Sequence, residues 1–236
     1  MFKLDSPLMN FLNKVCDVMI INILVLICSI PVFTMGAAIT AAYYMCYKMV
    51  KNEEGYIVKG FFKAFKENFR QSTIIWLIML VIAGILYGDY KIILESGLEF
   101  AQWMRIGILT ATGILALGAT FIFPVQARFS NTVKNTMKNG FLMALSHLPS
   151  AVLCLLSLAV PVVIIYFVPQ LAPAVALLAF GALPYGKSFL FLKIFRKYEI
   201  LIEERMQAQA PVTEPESEDE GIFTVSEAME KEEETK

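Results

Sequence analysis

The chain carries one histidine, two tryptophans and four cysteines in 236 residues, and only 17% of its residues are charged. Each scarcity closes off a class. A soluble globule averages about 25% charged and about 45–50% apolar residues. Here 57% are apolar and the mean hydropathy is +0.62, so lipid is the expected solvent. Cys16, Cys28, Cys46 and Cys154 stand apart with no CxxC pair, and they read as small apolar side chains within helices. His147 has no ligand partner at metal spacing. Nor does it form a dyad with Ser146, because neighbouring residues on a helix do not face each other. Glu53 and Glu54 lack the His and Arg context of an intramembrane metalloprotease, and no Gly-rich phosphate loop is present. The sequence therefore offers no catalytic, cofactor-binding or metal-binding residue, and a non-enzyme is expected.

What is present is unevenly distributed. Residues 207–236 hold ten acids and two bases, a net charge of −8, which leaves 18 bases against 11 acids in residues 1–206, a body of +7. The tail is Glu-rich, poor in aliphatics and punctuated by Pro211 and Pro215, so disorder is expected there. The bases of the body sit beside apolar runs rather than in one stripe, a pattern that fits anionic lipid headgroups and gives no support to nucleic-acid binding. A helix needs about 20 apolar residues to cross a bilayer. Five runs satisfy this or come close: residues 18–42 (interrupted by Pro31), 73–88, 103–126, 148–168 and 170–186. The last two share a stretch of 39 residues, 148–186, without a formal charge, and Pro169 and Pro173 mark the turn between them. The expected fold is all-α: a polytopic membrane bundle of about five Pro-kinked spans, with amphipathic cytoplasmic helices and a membrane domain over residues 1–206.

Basic residues orient the spans. Lys48, Lys51, Lys59, Lys63, Lys66 and Arg70 lie between the first and second, Arg128, Lys134 and Lys138 between the third and fourth, and Lys187, Lys193, Arg196, Lys197 and Arg205 follow the fifth. Five spans with these segments in the cytoplasm place the N-terminus outside and the tail inside. A rival arrangement breaks the first run at Pro31 and crosses back with residues 36–50, which would put both ends inside. That returning segment is only about 22 Å long at 1.5 Å per residue, and five spans is the expectation carried forward.

Residues 57–72 form the clearest amphipathic element. Phe61, Phe65 and Phe69 recur at i, i+4, i+8, with Val58 and Phe62 beside them, while Lys59, Lys63, Lys66 and Arg70 line the flanks and opposite face. Such a helix lies flat at a membrane interface or packs on the protein's own helices, and it could also dock a partner. Residues 187–206 read as a second cytoplasmic helix. Gly84 with Gly88, Gly107 with Ala111, and Ala172 with Ala176 have the spacing that lets membrane helices approach. No charge falls near a span centre. Asn22 is the most notable polar residue within a span, as interhelical glue or as the lining of a pore.

Ser29-Ile30-Pro31-Val32-Phe33-Thr34-Met35-Gly36-Ala37-Ala38 with Tyr43-Tyr44, then Asn52-Glu53-Glu54-Gly55-Tyr56, then residues 61–69 with Gln71 and Trp76, resemble the YesL-like family of small multi-span bacterial membrane proteins. The resemblance covers about residues 5–90 distinctly and extends more loosely to about residue 200. The family has no assigned biochemical function and no established site residues. Its members are often encoded beside sugar importers and polysaccharide-degrading enzymes. The resemblance thus implies a bacterial plasma-membrane protein in a carbohydrate-uptake context, needing no cofactor. Its expected partners are the bilayer and either a sugar-importer membrane subunit or a second copy of itself. The leading expectation is an accessory or scaffold component. The alternative is a small permease or channel acting alone or as an oligomer.

Overall fold

A computed structural model describes residues 7–53, 55–95 and 101–209. Its helices are α1 (Pro7–Cys28), α2 (Met35–Lys51), α3 (Ile57–Glu95), α4 (Ala101–Arg128), α5 (Val133–Ser146), α6 (Leu148–Leu156), α7 (Ala159–Phe167) and α8 (Ala172–Gln209), with 3-10 turns at Val32–Thr34 and Pro169–Leu171. No strand occurs among the described residues. Five helical stretches are long and apolar enough to cross a membrane: Phe11–Cys28, Ile57–Ile93, Gln102–Arg128, Leu148–Phe167 and Leu177–Leu201. The protein is an all-α, polytopic membrane bundle. It falls into two units, one ending at Ile194 and one beginning at Phe195, and residues 195–209 of the second are helical.

The first apolar run is not one span. Pro31 lacks an N–H and disfavours helix in the residue before it, so α1 stops at Cys28. From Lys14 to Cys28, α1 rises about 21 Å, and α2 rises about 24 Å from Met35 to Lys51. Were the two helices to run in one direction, Lys14 and Asn52 would be about 55 Å apart by the same rise. Instead the Lys14 Nζ donates to Asn52 Oδ1 at 2.8 Å. Thr34 Oγ1 meanwhile reaches the carbonyls of Cys28 and Pro31 at the other end. The helices are antiparallel, a closed hairpin. Asn52 ends α2 in the left-handed region at φ 54°, where an Asn is tolerated, and its N–H caps the Lys48 and Met49 carbonyls. This corrects the expected single, Pro31-kinked crossing over residues 18–42 and matches the rival break at Pro31 with a return over residues 36–50. The start of α1 lies beside the α2–α3 turn, not at the opposite end of the bundle.

Next, α3 runs back along α2. Gly60 faces Met45, Thr40 Oγ1 lies 3.0 Å from Ser72 Oγ, and a Cβ on Gly36 would stand 2.7 Å from both the Ser72 carbonyl oxygen and Trp76 Cβ. Glycine at 36 is what allows the two backbones to approach this closely. Ala37, Ala38, Ala41 and Ala42 are fully buried, a small-residue surface that lets α1 and α3 close on α2. Trp76 Nε1 donates to the Val32 carbonyl at 2.8 Å, which places the α1–α2 turn level with residue 76 of α3. Beyond that level α3 continues for 19 residues, about 28 Å.

A further expectation is refined here. Residues 57–72 and the span 73–88 are one continuous 39-residue helix, because nothing between Arg70 and Thr73 breaks it. The amphipathic segment therefore extends the span instead of lying flat beside it. Residues 187–206, expected as a helix leaving the fifth span, are the continuation of α8, which runs through Pro184 without interruption. The turn expected at 168–173 is present as the 3-10 turn Pro169–Leu171. The tail expected to be disordered lies outside the described residues from residue 210 onward.

Candidate functional site

The Phe stripe of α3 splits on folding. Phe61 is fully buried among Met45, Met49 and Ile57, while Phe65 and Phe69 are half-buried along the same face; Phe61 and Phe65 are stacked with centroids 6.3 Å apart, and Phe65 and Phe69 are tilted at 58° with centroids 5.5 Å apart. That face is occupied by the protein's own α1 and α2. What α3 leaves exposed is the neighbouring strip: Val58 and Phe62 beside Lys59, Lys63, Lys66 and Arg70. Lys63 Nζ stands 4.0 Å from Glu67, and with both side chains more than half exposed the pair contributes little to stability. Lys59 and Lys66, one turn either side of Lys63, keep the strip basic.

Asn22 is fully buried, and its Oδ1 accepts a hydrogen bond from the Gly181 N–H at 3.0 Å. A Cβ on Gly181 would strike the Val18 carbonyl oxygen, so α1 and α8 touch backbone to backbone at this point. Asn22 therefore joins two helices. The glycines at close-packing spacing on α3 and α4 behave differently: Cβ positions built on Gly84, Gly88 and Gly107 meet nothing within 4 Å. His147 sits half-buried at the junction of α5 and α6, and among the described residues no three His, Cys, Asp or Glu side chains cluster closely enough to hold a metal ion.

The structure also assembles a polar cavity of about 710 Å³ that sequence reasoning missed. Its walls come from four elements. From α2 comes Tyr44, with Lys48 Nζ 5.0 Å from its ring centroid; from α3 come Glu67, Asn68 and Gln71; from the end of α4 come Gln126 and Arg128. The α4–α5 connection and first turn of α5 add Phe129, Ser130, Asn131, Thr132 and Asn135. Gln71 ties the walls together, its Nε2 donating to the Asn131 carbonyl at 2.8 Å and to Thr136 Oγ1 at 3.0 Å. Thr132 caps α5, its Oγ1 accepting from the Asn135 N–H at 3.4 Å. Asn68 Nδ2 donates to the Ala64 carbonyl at 2.9 Å. Gln126 differs from these neighbours. It is only 5% exposed, and its Oε1 has no hydrogen-bond partner among the described residues.

The amides at 68, 71, 126, 131 and 135 are separated by up to 67 positions and share no motif, so only the return of α4 against α3 brings them together. A Gln next to a Pro-containing apolar run, Pro124-Val125-Gln126, is the one signal that could have pointed here, because an amide at the end of a span needs a partner.

Among known families, the one described as "Protein of unknown function, DUF624" matches residues 18–90. That stretch comprises the second half of α1, all of α2, and α3 as far as Tyr90; the cavity wall formed by α4 and α5 lies beyond it. No curated protein and no solved structure matches the chain.

Proposed function

We propose that this protein is a non-catalytic component of a bacterial plasma membrane, a YesL-like accessory or scaffold subunit associated with carbohydrate uptake. The observation that supports a docking role is the exposed strip on α3. Val58 and Phe62 offer apolar surface beside four basic side chains, at the end of a helix too long for the bilayer alone: 39 residues rise about 58 Å, against a hydrocarbon core of about 30 Å. With the basic segments taken as cytoplasmic, this strip projects toward that side, and the Lys14–Asn52 pairing brings the start of α1 there too. A partner recognising it would present acidic groups around an apolar contact.

Co-purification at native expression level in a mild detergent, with partners read by mass spectrometry, tests the reading. The expected result is a stoichiometric importer membrane subunit, lost when Phe62→Ser is combined with Lys63→Glu and retained in Phe69→Leu. Unchanged importer abundance and uptake after deletion of the protein would remove the proposal. Solute flux through the pure protein in proteoliposomes would replace it with the permease reading.

A further inference from the structure

We infer that an apolar cavity between α1, α2, α7 and α8 holds one acyl chain of an anionic membrane phospholipid, with the lipid phosphate at Lys187. The cavity measures about 490 Å³, within the roughly 300–1,000 Å³ of small-molecule sites, and its lining belongs entirely to the first unit. Val25 of α1, Ile39 of α2, Val162 of α7 and Ala179 of α8 represent that lining, in which Tyr43 and Lys187 carry the only polar side chains among the described residues. These two share one end. The Tyr43 ring centroid lies 5.9 Å from that of Phe191, one turn beyond Lys187 on α8. From Lys187 the lining follows α8 back to Val175, a rise of about 18 Å. One leaflet is half of a hydrocarbon core about 30 Å thick. The cavity therefore runs about as deep as an acyl chain, with a cation at its head.

Charge complementarity names the occupant. The Lys187 ammonium has no ion-pair or hydrogen-bond partner among the described residues and is not shut into the core; the Tyr43 hydroxyl likewise has no hydrogen-bond partner there. A cation beside hydrocarbon needs an anion or water, and the next base on α8, Lys193, stands about 9 Å nearer the end of the helix. Both polar groups donate hydrogen bonds, as a phosphate requires. A sugar would find almost nothing on these walls to bond, and a free inorganic anion would have to leave water for hydrocarbon. A zwitterionic lipid fits the apolar part but brings its own cation beside Lys187. Anionic lipids populate the cytoplasmic leaflet, the side to which the basic segments are assigned. The site shares no residue with the α3 strip and does not rest on the accessory role proposed above.

Native mass spectrometry of the full-length protein in mild detergent provides the test, with equimolar phosphatidylglycerol and phosphatidylcholine of identical chains as probes and oleate in a separate arm. The expected result is one retained phosphatidylglycerol, preferred about tenfold as a charge-assisted hydrogen bond allows. Lys187→Gln should erase the preference, whereas Lys193→Gln, an exposed base on the same helix outside the cavity, should keep it. Ala179→Phe fills the cavity and should reduce retention of both lipids while helical content by circular dichroism is unchanged. Should Ala179→Phe not fold, Val162→Trp carries the same test, because Val162 is 67% exposed at the cavity rim and tolerates bulk. The inference is overturned if phosphatidylglycerol is not preferred, if Lys187→Gln keeps the preference, or if Lys193→Gln erases it equally. Undiminished retention in a folded cavity-filling variant also overturns it. So does retention of oleate in place of phospholipid, or a lipid-free dimer.

Discussion

Along residues 57–76, one face of α3 is packed on its own protein: Phe61, Ala64, Ser72 and Ile75 are buried, and Gly36 of α2 lies against Ser72 and Trp76. Along residues 77–95 the same helix exposes Leu77, Leu80, Val81, Ile82, Ile85 and Tyr87, and its Gly84 and Gly88 face open space. The first region carries Lys59, Lys63, Lys66, Glu67 and Arg70, whereas residues 77–88 of the second carry no formal charge and expose hydrocarbon, which reverses the burial pattern of a soluble helix. In the first, close backbone approach and side-chain hydrogen bonds hold α1, α2, α3 and the end of α4 together. In the second, apolar side chains reach outward and lipid would cover them. Specific packing is thus concentrated at the basic end of the bundle, where the open end of the hairpin and the polar cavity also lie, while the family match runs on to Tyr90.

Substitutions can break that contrast. Gly36→Leu should do most damage, because its side chain would meet Ser72 backbone and Trp76 Cβ, neither of which can swing aside. Overpacking of this kind costs about 3 kcal/mol, read as a fall in the unfolding midpoint in detergent. Trp76→Phe keeps most of the ring contact with Phe123 but leaves the Val32 carbonyl without its indole donor. The loss should be about 1–2 kcal/mol, with faster proteolysis at the α1–α2 turn as a second readout. Gly84→Ala, on the open face, should stabilise by about 0.5–1 kcal/mol through helix propensity alone. If Gly84→Ala instead destabilised the protein to the same degree as Trp76→Phe, the two regions would not differ as described.

Much of this was legible in the sequence, for identifiable reasons. Hydropathy located five apolar runs, because lipid solvation acts on composition over some twenty residues. Prolines marked the breaks at Pro31 and at Pro169 correctly. What hydropathy does not carry is direction. The stretch 18–42 reads as one apolar run whether the chain continues or turns back, and Pro31 signals a break without its angle. Lys14 was the residue that held the answer, since its place beside Asn52 accompanies a return. The Phe61, Phe65, Phe69 stripe was legible as one face of a helix. Which way it looks was decided by the alanine surface of α2, a tertiary fact. Beyond the amide of Gln126 at the end of an apolar run, the polar cavity was not legible, because its amides become neighbours only when α4 lies against α3.

The antiparallel α1–α2 hairpin is tested most directly by asking from which side of the membrane its two open ends react. Cys16 is exposed near Lys14 and can serve as a native probe once Cys28, Cys46 and Cys154 are changed to Ala; Asn52→Cys in a chain with all four cysteines removed reports the other end. An impermeant maleimide applied to vesicles of one known orientation should label both sites from the same side. Labelling of Cys16 and of residue 52 from opposite sides would contradict the hairpin and restore a single span over residues 18–42.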